Sequence, residues 1–473
     1  MHRHGVYVQE KATSVSVPTV APVGIPFIIG AAPVQSAESP VPAGEITLCT
    51  SWNEAIEKLG FSEDFSKYNL CEFMYSHFVL YGQQPAIFCN LLDIGGMASA
   101  VPATDKPVED HKGMLPLEAI DDSSLVVQEA GGGSSYVKDT DYGVYYSGEN
   151  LVIELLEPGT AYEEKELNVG YKAVKPSSVT HQLVATGLQN IEKCLTSTGI
   201  VPDLICAPGY SDNPMVAAVM ATKAAGVNGL FKAKALVDIS SKTGGAMTYT
   251  DAIVFKGKNN LVDEDMIVCW PMLKLGGYQF HMSTQLAGLM AKVDGDNGGV
   301  PYESPSNKAF KCDSIVLASG KEISLTHEQA NILDAQGIIT SLRFMGALTC
   351  WGNYTGCYPM NSDVKDMLIP ISRMFGWVGS TLIKTFWGKL GKPMNSRLLH
   401  SIKDTCNIWL NGIVGSDYLL GARVEVFDEE NPLTDLMAGI IRVHIYITPP
   451  SSLKEVNFIL EYDAGYVASA FAG

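Results

Sequence analysis

Residues 431–463 read NPLTDLMAGIIRVHIYITPPSSLKEVNFILEYD. From Gly439 to Thr448 the side chains alternate. Ile441, Val443, Ile445 and Ile447 fall on one face and Arg442, His444 and Tyr446 on the other, the period-two signature of a half-buried strand. Pro449 and Pro450 end it. The alternation restarts with Val456, Phe458, Leu460 and Tyr462 against Asn457, Glu461 and Asp463, a second strand almost at the end of the chain. Such a strand needs a sheet to receive it, in its own subunit or in a neighbour, because unpaired edge groups are templates for another chain. Which of the two applies decides architecture and function together.

Composition sets the outer limits. A chain of 473 residues is too long for one ordinary core, and its length suggests about three domains. With 46% hydrophobic and 18% charged residues it reads as globular. A net charge of -18 argues against a nucleic-acid partner, which would require a basic stripe to neutralise phosphates. The opening MHRHGVYVQEKAT has no apolar core after its basic residues, so no signal peptide is expected. Residues 12–37 carry no charge, yet Pro18, Pro22, Pro26 and Pro33 break the run, and it reads as an extended thread with no membrane insertion. Ten cysteines without a C-x-x-C read as reduced, mostly buried thiols.

In chain order, the short extended piece around Val6, Tyr7 and Val8 leads into the thread, and IPFIIG (25–30) is a buried strand. In TSWNEAIEKLG (50–60), Ser51 and Glu54 form a capping box and Gly60 ends the helix. The spacing predicts a second helix over 70–81, then the strand AIFCNLL (86–92), an α/β order. Between 94 and 175 the texture changes to alternating runs such as SSLVVQE and ENLVIELLEPG with turn residues about every ten positions, a small antiparallel β-domain inserted into the α/β layer. The α/β pattern resumes with a helix over 178–197, the strand LICAPG, the helix NPMVAAVMATKAAG and the strand KALVDIS. The apolar runs AIVFKG and MIVCWP follow, then a helix over 281–292, SIVLAS, the capped helix THEQANILDAQG and the paired strands GIITSLRF and ALTCWG. From residue 361 the chain turns helical, with Leu398, Ile402, Cys406, Trp409 and Ile413 in one stripe.

No run of residues spells a catalytic or cofactor motif. DGDNGG (294–299) resembles a calcium loop but lacks its alternating oxygens and distant Glu, and reads as a glycine-rich turn. His2 and His4 could bind a metal as H-x-H, but they sit at a terminus. SKTGGAMT and GKLGKPMNS do not complete a phosphate loop. No cofactor, metal or catalytic residue is therefore assigned, and Trp52, Trp270, Trp351 and Trp409 read as core. The apolar helix around Phe375, Trp377, Ile383 and Trp387 reads as buried or partner-facing.

Taken end to end, the chain resembles the tail sheath proteins of contractile phages and related contractile injection systems. The pieces that carry the resemblance are HGVYVQE (4–10), SWNEAIEKLGF (51–61), YGQQPAIFC (81–89), LICAPGYSDNPMVAAVMATKA (204–224), LVDIS (236–240), the block from WPMLKLGGYQF to YESPSN (270–307), LDAQGIITSLRFMGALTCWGNYTG (333–356), PMNSRLLHSIKDTCNIWL (393–410) and residues 431–460. Their order is more specific than any one of them. The resemblance implies a multidomain α/β fold. It has an extended N-terminal arm (1–24), a discontinuous central α/β sheath domain (25–93 and 176–360) and an inserted β-sandwich-like domain (94–175). A C-terminal α+β domain (361–455) that receives exchanged strands and a C-terminal strand or arm (456–473) complete it. It also implies a non-enzymatic subunit of a helical homo-oligomer built of hexameric rings around a tail tube protein, meeting baseplate and tail-terminator proteins. Such a protein is found in the virion tail or a phage-tail-like particle and is assembled in the host bacterial cytoplasm. Strand exchange between subunits would then run through Val6, Tyr7, Val8, Ile441, Val443, Ile445, Ile447, Val456, Phe458 and Leu460. A non-contracting sleeve of the same fold and a soluble α/β enzyme are the alternatives.

Overall fold

The computed structural model describes residues 18–471. Its first unit opens with β1 (Pro26–Gly30), β2 (Ile46–Cys49), helix α1 (Trp52–Leu59), helix α2 (Asn69–Met74) and β3 (Ala86–Asn90). Ser51 caps α1 by accepting the Glu54 N–H at 3.2 Å, while the Glu54 carboxylate reaches past it to the Thr50 N–H at 2.7 Å. Helix α2 runs on as a π-turn, Tyr75–Leu80, so the segment expected over 70–81 is helical but wider in its second half.

Next come β4 (Ala98–Glu109), β5 (Lys112–Pro116), β6 (Val126–Glu129), β7 (Tyr142–Ser147), β8 (Asn150–Leu155) and β9 (Glu166–Val174). They form one antiparallel six-stranded sheet in the order β6-β9-β4-β5-β8-β7, with a bulge between Val101 and Thr104. Its alternating residues, among them Leu151, Ile153, Leu167 and Val169, close a core of their own.

The chain returns through α3 (His181–Gly187) and α4 (Cys194–Thr198), joined by a 3-10 stretch. The single helix expected over 178–197 is thus divided, and where its first part ends Gly187 packs so closely that a Cβ would meet the Ile29 and Leu91 side chains at 2.9–3.0 Å. It continues with β10 (Leu204–Cys206), α5 (Pro214–Ala225), β11 (Lys234–Asp238), α6 (Tyr249–Lys258), β12 (Met266–Cys269), β13 (Met272–Leu275), β14 (Tyr278–His281) and α7 (Met282–Asp296). Last come β15 (Ser314–Val316), β16 (Glu322–Ile323), α8 (His327–Asp334), β17 (Ile338–Phe344) and β18 (Ala347–Trp351). AIVFKG, strand-like in composition, is helical within α6 because Thr248 and Asp251 build a reciprocal capping box ahead of it.

Eight of these strands make the main sheet, in the order β18-β17-β12-β11-β10-β1-β3-β2. The pairings from β17 to β3 are parallel, and antiparallel β18 and β2 close the two edges. Its inner strands are buried on both faces, which is why they read as unbroken apolar runs. Helix α7 is buried nearly all round against it, its polar Ser283, Thr284, Gln285 and Asp294 included. From β1 the chain steps to β3 on one side and later to β10 on the other, so the order reverses between β1 and β10.

A third apolar cluster belongs to the C-terminal unit: α9 (Val364–Met367), α10 (Ile369–Phe386), α11 (Ser396–Gly415), β19 (Gly421–Glu425), α12 (Leu433–Met437), β20 (His444–Thr448) and α13 (Gly465–Phe471). Met374, Trp377 and Val378 of α10 meet Cys406 and Leu410 of α11, with Val424 of β19 above them and Ala21 from the N-terminal thread inserted beside them. Ile402, Trp409 and Ile413 of the expected stripe pack on the same cluster. No helix of the described residues is long and apolar enough to cross a membrane.

Candidate interaction surface of the C-terminal unit

The strand read from 439 to 448 is shorter than its alternation suggests. Only His444–Thr448 pairs, antiparallel to β19, in the register Val424↔Ile445 and Ala422↔Ile447. Its first half is diverted by Asn431, whose side chain accepts the Arg442 N–H at 2.7 Å and donates to the Arg442 carbonyl at 3.1 Å. These bonds occupy both backbone groups that a ladder would use. Ile441 and Val443 therefore sit in the approach to the strand and not in it. Val443, Ile445 and Ile447 are nevertheless brought together on the face that packs against α11.

The opposite face is polar and aromatic. The Arg423 guanidinium lies 4.0 Å over the Tyr446 ring, and His444 Nε2 is 2.5 Å from the Glu430 carboxylate. Among the described residues β19 and β20 have no further neighbour, so each offers one open edge. A two-stranded ribbon is marginal by itself and its edges are templates for added strands.

The second alternating run does not form a strand within the chain, since residues 451–463 have no assigned secondary structure. A strand exists only with a partner, and here none is supplied. Phe458, Ile459 and Leu460 are 86%, 83% and 95% exposed, and Val456 lies half in solvent. The tail is tied at its root, where Lys454 Nζ donates to the Tyr354 hydroxyl at 2.7 Å and stands over that ring. Val6, Tyr7 and Val8, together with His2 and His4, lie outside the described residues.

A second surface emerges at the tip where α10 turns into α11. Lys384, Lys389, Lys392, Arg397 and Lys403 lie around it in a run, 367–403, that holds not one acidic residue, in a protein of net charge -18, whereas Arg373 in the same run is buried. Trp387 and Leu390 stand out from this tip, 59% and 70% exposed. Composition averaged over the whole chain hides it. An acid-free run of that length was the available signal.

The C-terminal unit is fastened to the main sheet by buried charge. Arg373 of α10 makes a two-pronged contact with Asp294 of α7, at 2.9 and 2.5 Å, and reaches Asp203 at 3.0 Å. Burial pushes the Asp294 carboxyl up to about 6 even against the attraction of Arg373. The DGDNGG carboxylate that could have served a calcium loop is thus engaged in a structural ion pair. One residue before Arg373, Ser372 Oγ accepts from Lys234 Nζ at 2.7 Å, and the same amine binds Asp265 at 2.6 Å.

At the carboxyl ends of β1 and β10 a crevice of about 460 Å³ opens over Glu72, Gly209, Lys242 and His281. This is where a doubly wound sheet would hold a ligand. Both oxygens of buried Glu72 are taken by His281, one by its backbone N–H at 2.6 Å and one by Nδ1 at 2.8 Å. Burial opposes the imidazolium, but the Glu72 charge outweighs it and lifts His281 to about 9. The pair joins α2 to the start of α7. Because the folded pKa is raised, its stabilisation is present below about 6.5 and lost as pH climbs through 9. Among the described residues no group of three or more His, Cys, Asp or Glu stands together to hold a metal ion.

No family model matches the chain. It is 23% identical over 501 residues to the tail sheath protein of Burkholderia phage BcepMu, covering 99% of this chain and 98% of that one. Among solved structures, the helical sheath of the anti-feeding prophage in its contracted state is 14% identical, with TM-score 0.57 over 98% of this chain and 100% of that one. The sheath of the extracellular contractile injection system PVC, also contracted, is 13% identical with TM-score 0.59 over 98% and 99%. A sheath tail protein from Desulfitobacterium hafniense is 13% identical, with TM-score 0.51 over 89% and 93%. The multidomain α/β fold described above is the fold of these sheath proteins.

Proposed function

We propose that this chain, a tail sheath family protein by its sequence and fold, is the structural subunit that polymerises as stacked six-fold rings around a tail tube. Neighbours are linked by strands that leave one subunit and complete the sheet of another. The observation that carries the reading is the conjunction of a two-stranded sheet with two open edges and a tail whose alternating apolar residues are exposed within its own chain. Added strands bring a full set of main-chain hydrogen bonds, while the linkers behind them tolerate rotation. Such a net can rearrange without coming apart. Each subunit then acts as a bistable packing element whose small preference is summed over many copies, and contraction drives the tube through the target envelope. The baseplate and a tail terminator bound the assembly at its ends, and it forms in the host bacterial cytoplasm. The role is structural and not enzymatic.

Electron microscopy of the purified protein or of whole particles tests this reading. Striped tubes in a long and a short form are expected, and a chain that stays monomeric at high concentration refutes it. Acid or urea treatment separates a contracting sheath from a static sleeve, since a sleeve keeps one length.

The basic tip between α10 and α11 is the surface that suits an acidic tube wall, with Trp387 and Leu390 as apolar anchors. Reversing Lys389, Lys392 and Arg397 to Glu should leave the fold intact, because none of the three is buried. Sheath that no longer co-purifies with tube, or that does so only at low salt, is the expected result. Wild-type recovery of tube at physiological salt would show that another face meets the tube.

A further inference from the structure

Residues 18–25 enter the fold on a track, and we infer that this track sets the register in which the N-terminal arm leaves the subunit, with Thr381 and Thr385 of α10 as its positioning residues. The Thr19 N–H donates to Thr385 Oγ1 at 3.0 Å and the Ala21 N–H to Thr381 Oγ1 at 3.1 Å. One turn further along, the indole N–H of Trp377 donates to the Ala21 carbonyl at 3.0 Å. Two residues of extended chain advance about 6.7 Å, and four residues of helix about 6 Å. Alternate N–H groups of the thread therefore meet hydroxyls one turn apart on α10. The inner end is pinned as well. Gly24 has φ +71° and passes so close to α7 that a Cβ would stand 2.8 Å from the Ala291 Cα, and the Ile25 N–H donates to Asp203 at 2.7 Å.

The sequence of the thread excludes other registers. Its used donors fall at odd positions, 19, 21 and 25, and its prolines at even ones, 18, 22 and 26. A slip of one residue in either direction would set Pro18 or Pro22, which have no N–H, against a threonine. A slip of two would bring Thr19 or Val23 to the site of Ala21. That site is only 4% exposed, beside Trp377, and overpacking resists the larger side chain. Register matters because a shift of one residue turns every side chain of an extended segment to the other face. A fixed register therefore sets how many residues lie beyond the track to reach a neighbour. This consequence rests on the reading of residues 1–17 as a linking arm, whereas the track itself does not.

Amide hydrogen exchange on the unassembled full chain tests the track directly. Thr19 and Ala21 are expected to be protected. Thr381→Val should raise exchange at Ala21 by about tenfold or more, Thr385→Val should do so at Thr19 alone, and Thr381→Ser should restore the wild-type pattern. Thr385 is only half-buried, so its variant keeps the test open even where a change at buried Thr381 disturbs the helix. Unprotected Thr19 and Ala21 in the wild type, or protection unchanged by both valines, overturns the inference. Deleting residues 1–17 addresses the arm separately: normal tubes from that variant, with Ala21 still protected, would refute the linking arm and leave the track standing.

Discussion

Deletion of residues 456–473 is expected to abolish tube assembly while leaving the unfolding transition of the main α/β unit unchanged. Among the described residues none of those removed belongs to the three apolar clusters, and Phe458, Ile459 and Leu460 are more than four-fifths exposed. On the proposed linkage, their apolar surface is covered when the tail docks on a neighbour. At roughly 1.5–3 kcal/mol for each large side chain buried, three of them represent about 5–9 kcal/mol per subunit contact. Losing even half of that weakens association by roughly fiftyfold or more, before the main-chain bonds of the added strand are counted. Thermal unfolding and electron microscopy of the same sample make the comparison. If the truncated chain forms striped tubes at the concentration that suffices for the full chain, the tail is not a link. Phe458→Asp with Leu460→Asp keeps the length and should reproduce the loss, since charged groups at those positions cannot be buried unpaired.

Much of this architecture is legible in the residues because the relevant forces are local or periodic. IPFIIG and AIFCN are strands of a sheet covered on both faces, where burial writes itself as unbroken apolar sequence. The inserted β-domain shows itself by alternation, since strands such as β5 and β9 have one wet face. What escapes is decided by single polar groups. AIVFKG becomes helix through one capping box, and the strand at 439–448 loses its first half to one asparagine side chain. The ladder centre is consequently Tyr446, while Val443 lies outside the pairing, so proline at 446 is the substitution that falls in its middle. The tail at 456–462 has the period of a strand and none of its bonds, because periodicity reports what a segment can bury and not which chain supplies the partner. Arg373, Asp294 and Asp203 lie up to 170 residues apart in sequence, and no spacing rule joins them.

Replacing Arg373 by Met is expected to cost about 3–5 kcal/mol, because removal of one partner strands a buried charge. Both Arg373 and Asp294 are at least nineteen-twentieths buried, and the guanidinium serves the Asp294 and Asp203 carboxylates together. The loss should depend on pH in a definite direction. Burial already raises the Asp294 carboxyl from 3.8 to about 6 with the arginine in place, and the variant loses the attraction that restrains it. A carboxyl whose folded pKa exceeds its unfolded value favours the folded state below the unfolded pKa, and that benefit is lost as pH rises through the folded pKa. The deficit of the variant should therefore be largest at pH 8 and shrink toward pH 5, where Asp294 takes up a proton and is buried neutral. Urea unfolding at the two pH values measures it. Adding Asp294→Asn to the arginine variant should flatten this dependence and recover part of the loss, since the amide carries no charge. A deficit that is equal at pH 5 and pH 8 would mean that Arg373 acts through its packing against α7 and not through its charge. The C-terminal unit would then be held to the main sheet chiefly by Lys234, Ser372 and the apolar face of α10.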